Sequence, residues 1–360
     1  MIGTVYKIHS DFYYVMPDKK EGNTENLVEC KLREILKKQK VKIVAGDFVE
    51  FEPQGLEENN VLQGAIVKVL KRKNFISRPS VANLDLMIVV SAIFEPDLDF
   101  VQLNRYLTFL KYHNIEALLC FNKDDLATPE KLNEIKKRII KIYKPLGYKT
   151  VFTSALNKDG LTSLKRYIKG KTIALTGQSG VGKSSLLNAL NPEFNLKTKS
   201  VSEKLKRGTH TTRHSELLEF PDFKIIDTPG FSRLVFDFIL PKDLGNYFDE
   251  IKSLKDGCKY RDCLHIAGIS EDCNVVQNLD KIDISRYESY IEFLEDAKLY
   301  KTKVTYEGIK EESSVKTNNN KEIAKISSKK RAHSRKKLKQ NTKNLLMEHR
   351  GGYDLEKDDD

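Results

Sequence analysis

Long apolar runs are absent from this chain. No stretch of its 360 residues reaches the roughly 18 apolar positions that a bilayer-crossing helix requires. The longest candidate, residues 84–94, is short and carries Asp85. The opening MIGTVYKIHSDFYYV lacks the basic-then-apolar order of an export signal. Cysteine is scarce too. The chain has five, and without an export signal that number argues against a disulfide framework. These absences lead us to expect a cytoplasmic protein with no membrane partner. Yet three of the five cysteines crowd into residues 258–273, which suggests metal.

Charge, by contrast, is plentiful. Charged residues make up 31% of the chain and apolar residues 39%, the balance of a soluble globular protein with room for two or three domains. The net charge of +11 favours an anionic partner. The excess is uneven: residues 321–343 hold ten Lys and Arg against one acid. Such a tail is solvated or touches RNA, and the two are compatible. Residues 311–337, EESSVKTNNNKEIAKISSKKRAHSRKK, are low in apolar residues and expected to be disordered when free.

Five short β-rich runs come first, at residues 3–9, 12–16, 27–32, 47–51 and 65–70, with Gly, Asn, Asp and Pro in the turns. Runs this short at this spacing predict a small closed barrel, of the OB type or the SH3-like type by strand count. From Leu84 onward, apolar runs (LDLMIVV, IEALLCF, TVFTSA, KTIALT, FKIIDTPG) alternate with helical stretches at 100–113, 129–146 and 183–190. That alternation predicts a parallel sheet covered by helices on both faces. Cys30 and Cys120 fall in predicted strands and read as core residues. After residue 240 the apolar runs shorten. A last amphipathic helix is expected over 284–300, with Tyr287, Tyr290, Ile291 and Leu294 on one face.

The segment GQSGVGKS, residues 177–184, carries the chemistry. Its pattern is Gly, four residues, then Gly-Lys-Ser. Gly177, Gly180 and Gly182, with Gln178, Ser179 and Val181 between them, let backbone N–H groups turn inward around phosphate oxygens. Lys183 reaches the terminal phosphates, Ser184 ligates Mg²⁺ through its hydroxyl, and Ser185 continues the helix whose positive end faces the anion. Asp227-Thr228-Pro229-Gly230 ends the run FKII. There the carboxylate suits an outer Mg²⁺ contact and the Gly230 N–H suits a γ-phosphate sensor. Asn122-Lys123-Asp124-Asp125 ends the run IEALLCF. A carboxylate at Asp125 accepts two hydrogen bonds from guanine N1 and its 2-amino group, a pair adenine lacks, so the site selects GTP. Asn122 and Lys123 would brace the base and the loop. Ser154-Ala155 would offer a backbone N–H to the guanine O6. Each motif sits at the C-terminal end of a predicted strand, where ligands of α/β sheets bind. Guanine reading and the lack of an acceptor pocket set aside a metabolic nucleotide kinase.

The order of these motifs is unusual. An ordinary GTPase domain runs phosphate loop, switch, DxxG, NKxD, SA. This chain runs NKDD, SA, phosphate loop, switch (RGTHTTRH) and DTPG, a circular permutation. Downstream, Cys258, Cys263, His265 and Cys273 offer three thiolates and an imidazole. That is a closed tetrahedral zinc set whose alternative is a group of buried free cysteines. With four ligands and no open position, such a zinc would be structural.

The permuted order, the segment RPSVANLDLMIVV, the switch GTHTTRH and the Cys/His cluster together resemble the RsgA (YjeQ, EngC) family over residues 1–300. The resemblance implies bacterial GTPases that assist or check late maturation of the small (30S) ribosomal subunit. It implies an OB-type barrel at 1–72, a circularly permuted GTPase domain at 73–240 and a helical domain with one structural zinc at 241–300, followed by the basic tail at 301–360. The expected partners are GTP and GDP, the small subunit and its rRNA, with Mg²⁺ accompanying GTP, and the expected state is a monomer.

Catalysis is incompletely supplied by the sequence. Lys183, Mg²⁺ and the loop N–H groups stabilise charge. The position after DTPG, where many small GTPases carry a water-orienting Gln, is Phe231, which cannot orient water. Slow intrinsic turnover follows, and the resemblance implies strong stimulation by the small subunit. Thr211 or Thr212 is the expected switch threonine. His210 and His214 are candidates for positioning water, against the plainer roles of switch or rRNA contacts. Residues 197–213 carry six Lys and Arg against Glu203 alone, a solvated basic loop or one that orders against phosphate. The competing reading is a GTP-gated rRNA-binding module whose hydrolysis only resets it.

Overall fold

The computed structural model describes residues 1–18, 27–39, 41–56, 62–191, 215–227, 238–269 and 272–306. They form two compact units. One comprises Met1–Asp99 with Tyr106–Leu234, and the other Phe100–Arg105 with Val235–Asp360.

The first unit opens with a closed five-stranded barrel of the OB type, in the order β1-β2-β3-β5-β4. Its strands are β1 (Ile2–His9), β2 (Phe12–Pro17), β3 (Val28–Leu32), β4 (Phe48–Leu56) and β5 (Leu62–Val69), with a short helix α1 (Glu34–Lys38) after β3. Alternation places Val5, Val15, Val28, Cys30, Val49, Phe51 and Ile66 inside, all buried in one cluster. β4 and β5 run longer than the sequence patterning suggested. Their pairing continues through Pro53↔Gly64 to Leu56↔Leu62 across a register shift between Pro53 and Gly55. Pro and Gly, which read as turn residues, mark here a bulge inside a strand.

After a small hairpin, β6 (Phe75–Ser77) and β7 (Ser80–Ala82), comes the six-stranded sheet in the order β10-β9-β8-β11-β13-β12. Its strands are β8 (Leu86–Ala92), β9 (Glu116–Asn122), β10 (Lys149–Phe152), β11 (Thr172–Thr176), β12 (Glu216–Glu219) and β13 (Lys224–Asp227). Helices α2 (Phe100–Tyr112), α3 (Pro129–Tyr143), α4 (Leu161–Ile168) and α5 (Lys183–Leu190) connect or follow them. Leu86, Ile88, Val90 and Ala92 pack with Leu161, Leu164 and Ile168 of α4 and with Leu186, Leu187 and Leu190 of α5. Met87 and Val89 alternate onto the opposite face and are equally buried, as β-strands covered on both sides require.

The expectation of a parallel sheet needs one correction. β12 pairs antiparallel with β13, so the sheet is mixed. Residues 220–223 join the two directly, and only an antiparallel pair tolerates so short a link. α3 also stops at Tyr143 rather than 146, ahead of Gly147 at φ 80°. Its start is fixed by Thr128, whose hydroxyl accepts from the Lys131 N–H, with Pro129 in the first helical position.

A buried ion pair secures the passage from barrel to sheet. The Arg72 guanidinium donates from Nε to Asp47 Oδ1 at 2.6 Å and from one Nη to Asp47 Oδ2 at 2.8 Å and to Lys42 O at 2.6 Å. Asp47 is fully buried and also accepts from the Val44 N–H at 2.8 Å. The Arg72 guanidinium carbon lies 4.5 Å from the centre of the Phe75 ring.

The second unit contains α6 (Asp249–Leu254), α7 (Asn274–Gln277) and α8 (Ile284–Tyr306). Tyr287, Tyr290, Ile291 and Leu294 are buried together with Phe248, Ile251, Val275 and Phe293, as the expected helix face required. α8 runs to Tyr306, past the expected end at 300 and into the first residues of the expected tail. Residues 307–360 lie outside the described part. Arg286, 2% exposed, is satisfied by both Glu250 oxygens at 2.6 and 3.1 Å and by Asn104 Oδ1 at 2.9 Å.

Removing one partner of a buried, hydrogen-bonded pair leaves an uncompensated charge. Arg72→Ala should therefore lower stability by about 3 kcal/mol. Lys73→Ala breaks an exposed pair with Asp85 and should change stability by less than about 1 kcal/mol. Denaturation midpoints of the two variants check this.

Candidate functional site

The phosphate loop leaves the end of β11 and enters α5, and its glycines are set by close approach. Gly177 has φ 145°, and a Cβ there would lie 2.1 Å from the Val90 carbonyl oxygen of β8. Gly182 has φ 91°, and a Cβ there would lie 2.4 Å from the Asn122 side-chain nitrogen. No other residue type fits either place. Ser179 and Gly180 are exposed, Gln178 half-buried and Val181 buried, while Lys183, Ser184 and Ser185 form the half-buried first turn of α5. The Lys183 ammonium donates to the carbonyls of Gly177 at 2.7 Å and Gln178 at 2.6 Å. Burial lowers its pKa from the usual lysine range to about 8.

Asn122 ties three motifs together. Its amide nitrogen donates to the Val181 carbonyl of the phosphate loop at 2.9 Å. Its Oδ1 accepts from the Ala155 N–H at 3.1 Å and from the Thr153 hydroxyl at 3.2 Å. Asn122 thus joins the turn at Ala155 to the loop at Val181. Of the pair Ser154-Ala155, expected to offer a backbone N–H to the guanine O6, the Ala155 N–H here donates to Asn122 Oδ1. Ser154 is fully buried; its N–H donates to the Asp159 carbonyl at 3.2 Å and its hydroxyl accepts from the Asn157 N–H at 3.0 Å. Lys123 takes a left-handed backbone, φ 64°, and its ammonium donates to the Glu95 carbonyl. Asp124 pairs with Lys136 at 3.5 Å, and Asp125 stands half-buried beside it at the end of β9. Asp227 is half-buried at the end of β13, opposite Glu216. His210, Thr211, Thr212, His214, Gly230 and Phe231 lie outside the described residues.

Sequence reading missed two contributors. Thr153, fully buried, precedes Ser154-Ala155 directly, and a buried hydroxyl there needs a partner, which Asn122 supplies. Asp99 accepts from the Gln178 amide at 3.3 Å across the loop that follows β8, a contact with no local sequence signal.

In the second unit, the ligand atoms of Cys258, Cys263, His265 and Cys273 all lie within 4.8 Å of one another. The Cys258 and Cys273 sulfurs are 3.7 Å apart, and His265 Nδ1 is 3.6 and 3.5 Å from them. A tetrahedron with metal–sulfur bonds of about 2.3 Å has edges of about 3.8 Å, so the four atoms fit one small cation. Tyr287 braces the loop, donating to the His265 carbonyl at 2.8 Å and accepting from the Ala267 N–H at 3.0 Å. Burial, aided by Lys255, lowers the His265 pKa to about 4, which keeps its imidazole in the neutral form a metal requires. Burial pushes the Cys273 thiol up to about 12, so a cation would have to displace its proton. This cluster can hold a metal ion.

A glycine loop leading into a helix, an NKDD turn, an SA turn and a DxxG aspartate, at the strand ends of one sheet in which the NKDD and SA strands come first in the chain, define a circularly permuted GTPase. Comparisons with known proteins make this specific. The model of the RsgA GTPase matches residues 69–237, and that of the RsgA N-terminal domain matches residues 2–61. The small ribosomal subunit biogenesis GTPase RsgA of Agathobacter rectalis is 37% identical over 306 residues, covering 83% of this chain and 98% of that protein. Its counterpart from a Geobacillus species is 39% identical over 298 residues, covering 82% and 97%. Among solved structures, YjeQ from Thermotoga maritima is similar with a TM-score of 0.69 and 32% identity, covering 82% of this chain and 98% of that one. YloQ, described as a circularly permuted GTPase, is similar with a TM-score of 0.68 and 29% identity, covering 82% and 94%. The chain belongs to the RsgA GTPase family, and its reaction is the hydrolysis of GTP.

The Lys183 geometry yields a pH dependence. Phosphate prefers the charged amine. With a pKa near 8 in the nucleotide-free protein, binding above about pH 8 must also take up a proton. GDP affinity should therefore be flat from pH 7 to 8 and fall by up to about tenfold per pH unit above that. Lys183→Arg, always charged, should lose that slope between pH 8 and 9. Titration calorimetry across this range checks both.

Proposed function

We propose that the chain is a GTPase of small ribosomal subunit assembly, binding the subunit and assisting or checking its late maturation. The observation that carries this reading is the Asn122 junction, which gives the permuted halves one nucleotide site. Within it, the N–H groups of residues 177–182 and Lys183 cradle the phosphates, Ser184 and Asp227 serve Mg²⁺, and Asp125 reads guanine with Asn122, Lys123, Asp124, Ser154 and Ala155 shaping its pocket. The Ser184 hydroxyl opens a helix and the Asp227 carboxylate ends a strand of the same sheet, which suits a cation held with the nucleotide. Thr211 or Thr212 closes the site on the γ-phosphate. Cys258, Cys263, His265 and Cys273 hold one structural zinc, a set with no ligand position left open for chemistry. The protein works as a cytoplasmic monomer and meets rRNA through its basic surface.

The names of its relatives support the small subunit as partner. The position of Phe231 after DTPG supports slow turnover until a partner completes the site. GTP turnover by the purified protein, with and without small subunits at fixed salt and Mg²⁺, tests this. The subunits should raise the rate by about a hundredfold or more, the scale expected when a missing transition-state contact is supplied. An unchanged rate with no GTP-dependent binding to the subunits would overturn the assignment of the partner. A rise in binding without a rise in turnover would favour the GTP-gated rRNA-binding module instead.

A further inference from the structure

The β12–β13 hairpin carries Asp227 at its far end, and its support is uneven. β13 pairs with β11 through Thr172↔Lys224 and Ile173↔Ile225. Beyond Ile225, among the described residues, its ladder continues with β12 alone, Leu217 opposite Ile226 and Glu216 opposite Asp227. β12, a strand of four residues at the edge of the sheet, is thus one of the supports of the Asp227 backbone.

The barrel, in the same compact unit, runs β1 along that edge strand. At Tyr6 the β1–β2 register slips: Val5 faces Val15, Lys7 faces Tyr14, and Tyr6 is the extra residue. A bulge of this kind bends a strand and re-aims one side chain. Val5 stays in the barrel core, while the Tyr6 hydroxyl donates to the Glu219 carboxylate of β12. Lys224 lies over the Tyr6 ring, 5.4 Å from its centre, and pairs with Glu219 at 3.7 Å. Lys7 pairs with Glu216 at 3.8 Å, so neighbouring residues of β1 hold both ends of β12. The two contacts differ in weight. The Lys7 pair is largely exposed and adds little. Tyr6 is 5% exposed, and a buried hydroxyl bonded to a carboxylate is among the stronger hydrogen bonds. Desolvation, then the Glu219 bond, holds the Tyr6 phenol protonated well above its usual range, so it remains a donor. Cavities of about 310 and 350 Å³ flank the contact, both lined by Thr4, Phe48, Glu219 and Lys224. Leu217 and Ile226, paired across the hairpin, are buried as well, and Ile226 lies close to Gly46 of the barrel.

From this geometry we infer that Tyr6 is a positioning residue for GTP hydrolysis: the bulge in the barrel strand fixes β12 and, through β12, the place of Asp227. The inference rests on the reading of Asp227 as the carboxylate that serves Mg²⁺. It gives the barrel a task inside the GTPase site, in addition to any partner it binds.

Tyr6→Phe keeps the ring and removes the donor, while Glu219→Gln keeps an acceptor for it. Amide hydrogen exchange on the nucleotide-free full chain is the first readout. Tyr6→Phe should speed exchange at residues 216–219 and 224–227 by about tenfold and leave β4 and β5 unchanged, with Glu219→Gln close to wild type. The second readout is the Mg²⁺ dependence of GTP turnover. Half-saturating Mg²⁺ should rise by about fivefold in Tyr6→Phe with little change in half-saturating GTP, a split that general loss of stability does not produce. Asp227→Asn is run alongside. If it leaves Mg²⁺ dependence unchanged, the reading of Asp227 fails and the exchange data alone decide whether Tyr6 holds the hairpin. If Asp227→Asn shifts the Mg²⁺ dependence and Tyr6→Phe does not, or if exchange at 224–227 stays as in wild type, the positioning role is overturned.

Discussion

The amide of Asn122 is the constraint on which the nucleotide site depends. It bridges a strand end from the first half of the GTPase fold to the phosphate loop of the second and to the turn that carries Ala155. In a permuted chain those parts are far apart in sequence: Asn122 and Val181 are separated by 59 residues. The parallel pairing of β8 with β11, from Leu86↔Ile173 to Val89↔Thr176, brings the halves side by side. Side-by-side strands do not by themselves set the height of two loops above the sheet. A buried amide with three partners does, because losing it would leave the Val181 carbonyl, the Ala155 N–H and the Thr153 hydroxyl each short of a bond, at about 1–3 kcal/mol apiece. Gly182 belongs to the same constraint, since any side chain there would strike the Asn122 nitrogen.

A second dependence runs the other way along the sheet. The edge strand β12 would expose unpaired backbone groups, a hazard that proteins cover or blunt. Here the barrel strand β1 lies against it, with the buried Tyr6 hydroxyl donating to Glu219 and the more exposed Lys7 pairing weakly with Glu216. Covering the edge and holding the hairpin are one contact, and the hairpin ends in Asp227. The metal cluster follows simpler logic. The Tyr287 and Tyr290 hydroxyls reach the backbone of His265 and Leu264 and hold the loop that carries the four side chains.

Much of this was legible in the sequence, for reasons particular to each part. Alternation exposed the barrel strands, and continuous apolar runs exposed the buried parallel strands. The cluster of Cys258, Cys263, His265 and Cys273 was legible because thiolates and an imidazole at short spacing are the pattern of a cation site whatever the fold around them. The phosphate loop was legible because its glycines answer to a backbone shape. What stayed hidden depends on tertiary approach. The antiparallel sense of β12 follows from a short link that composition alone did not separate from the strands. The bulge at Tyr6 lies in TVYKI, which reads as a regular strand. Pro53 and Gly55 read as a turn and are a bulge within β4. The donation of the Ala155 N–H to Asn122 could be seen only once both residues were in place.

The central claim is that two sequence-distant halves form one site that reads guanine at Asp125. The most direct measurement compares the affinities of wild type and Asp125→Asn for GDP and for xanthosine diphosphate. An amide cannot accept both guanine N–H bonds, but its NH₂ can donate to the carbonyl that xanthine carries at the same position. The account predicts that the substitution weakens GDP binding by about a hundredfold or more and makes the xanthine nucleotide the tighter ligand. Undiminished GDP affinity, with no gain for xanthosine diphosphate, would contradict it.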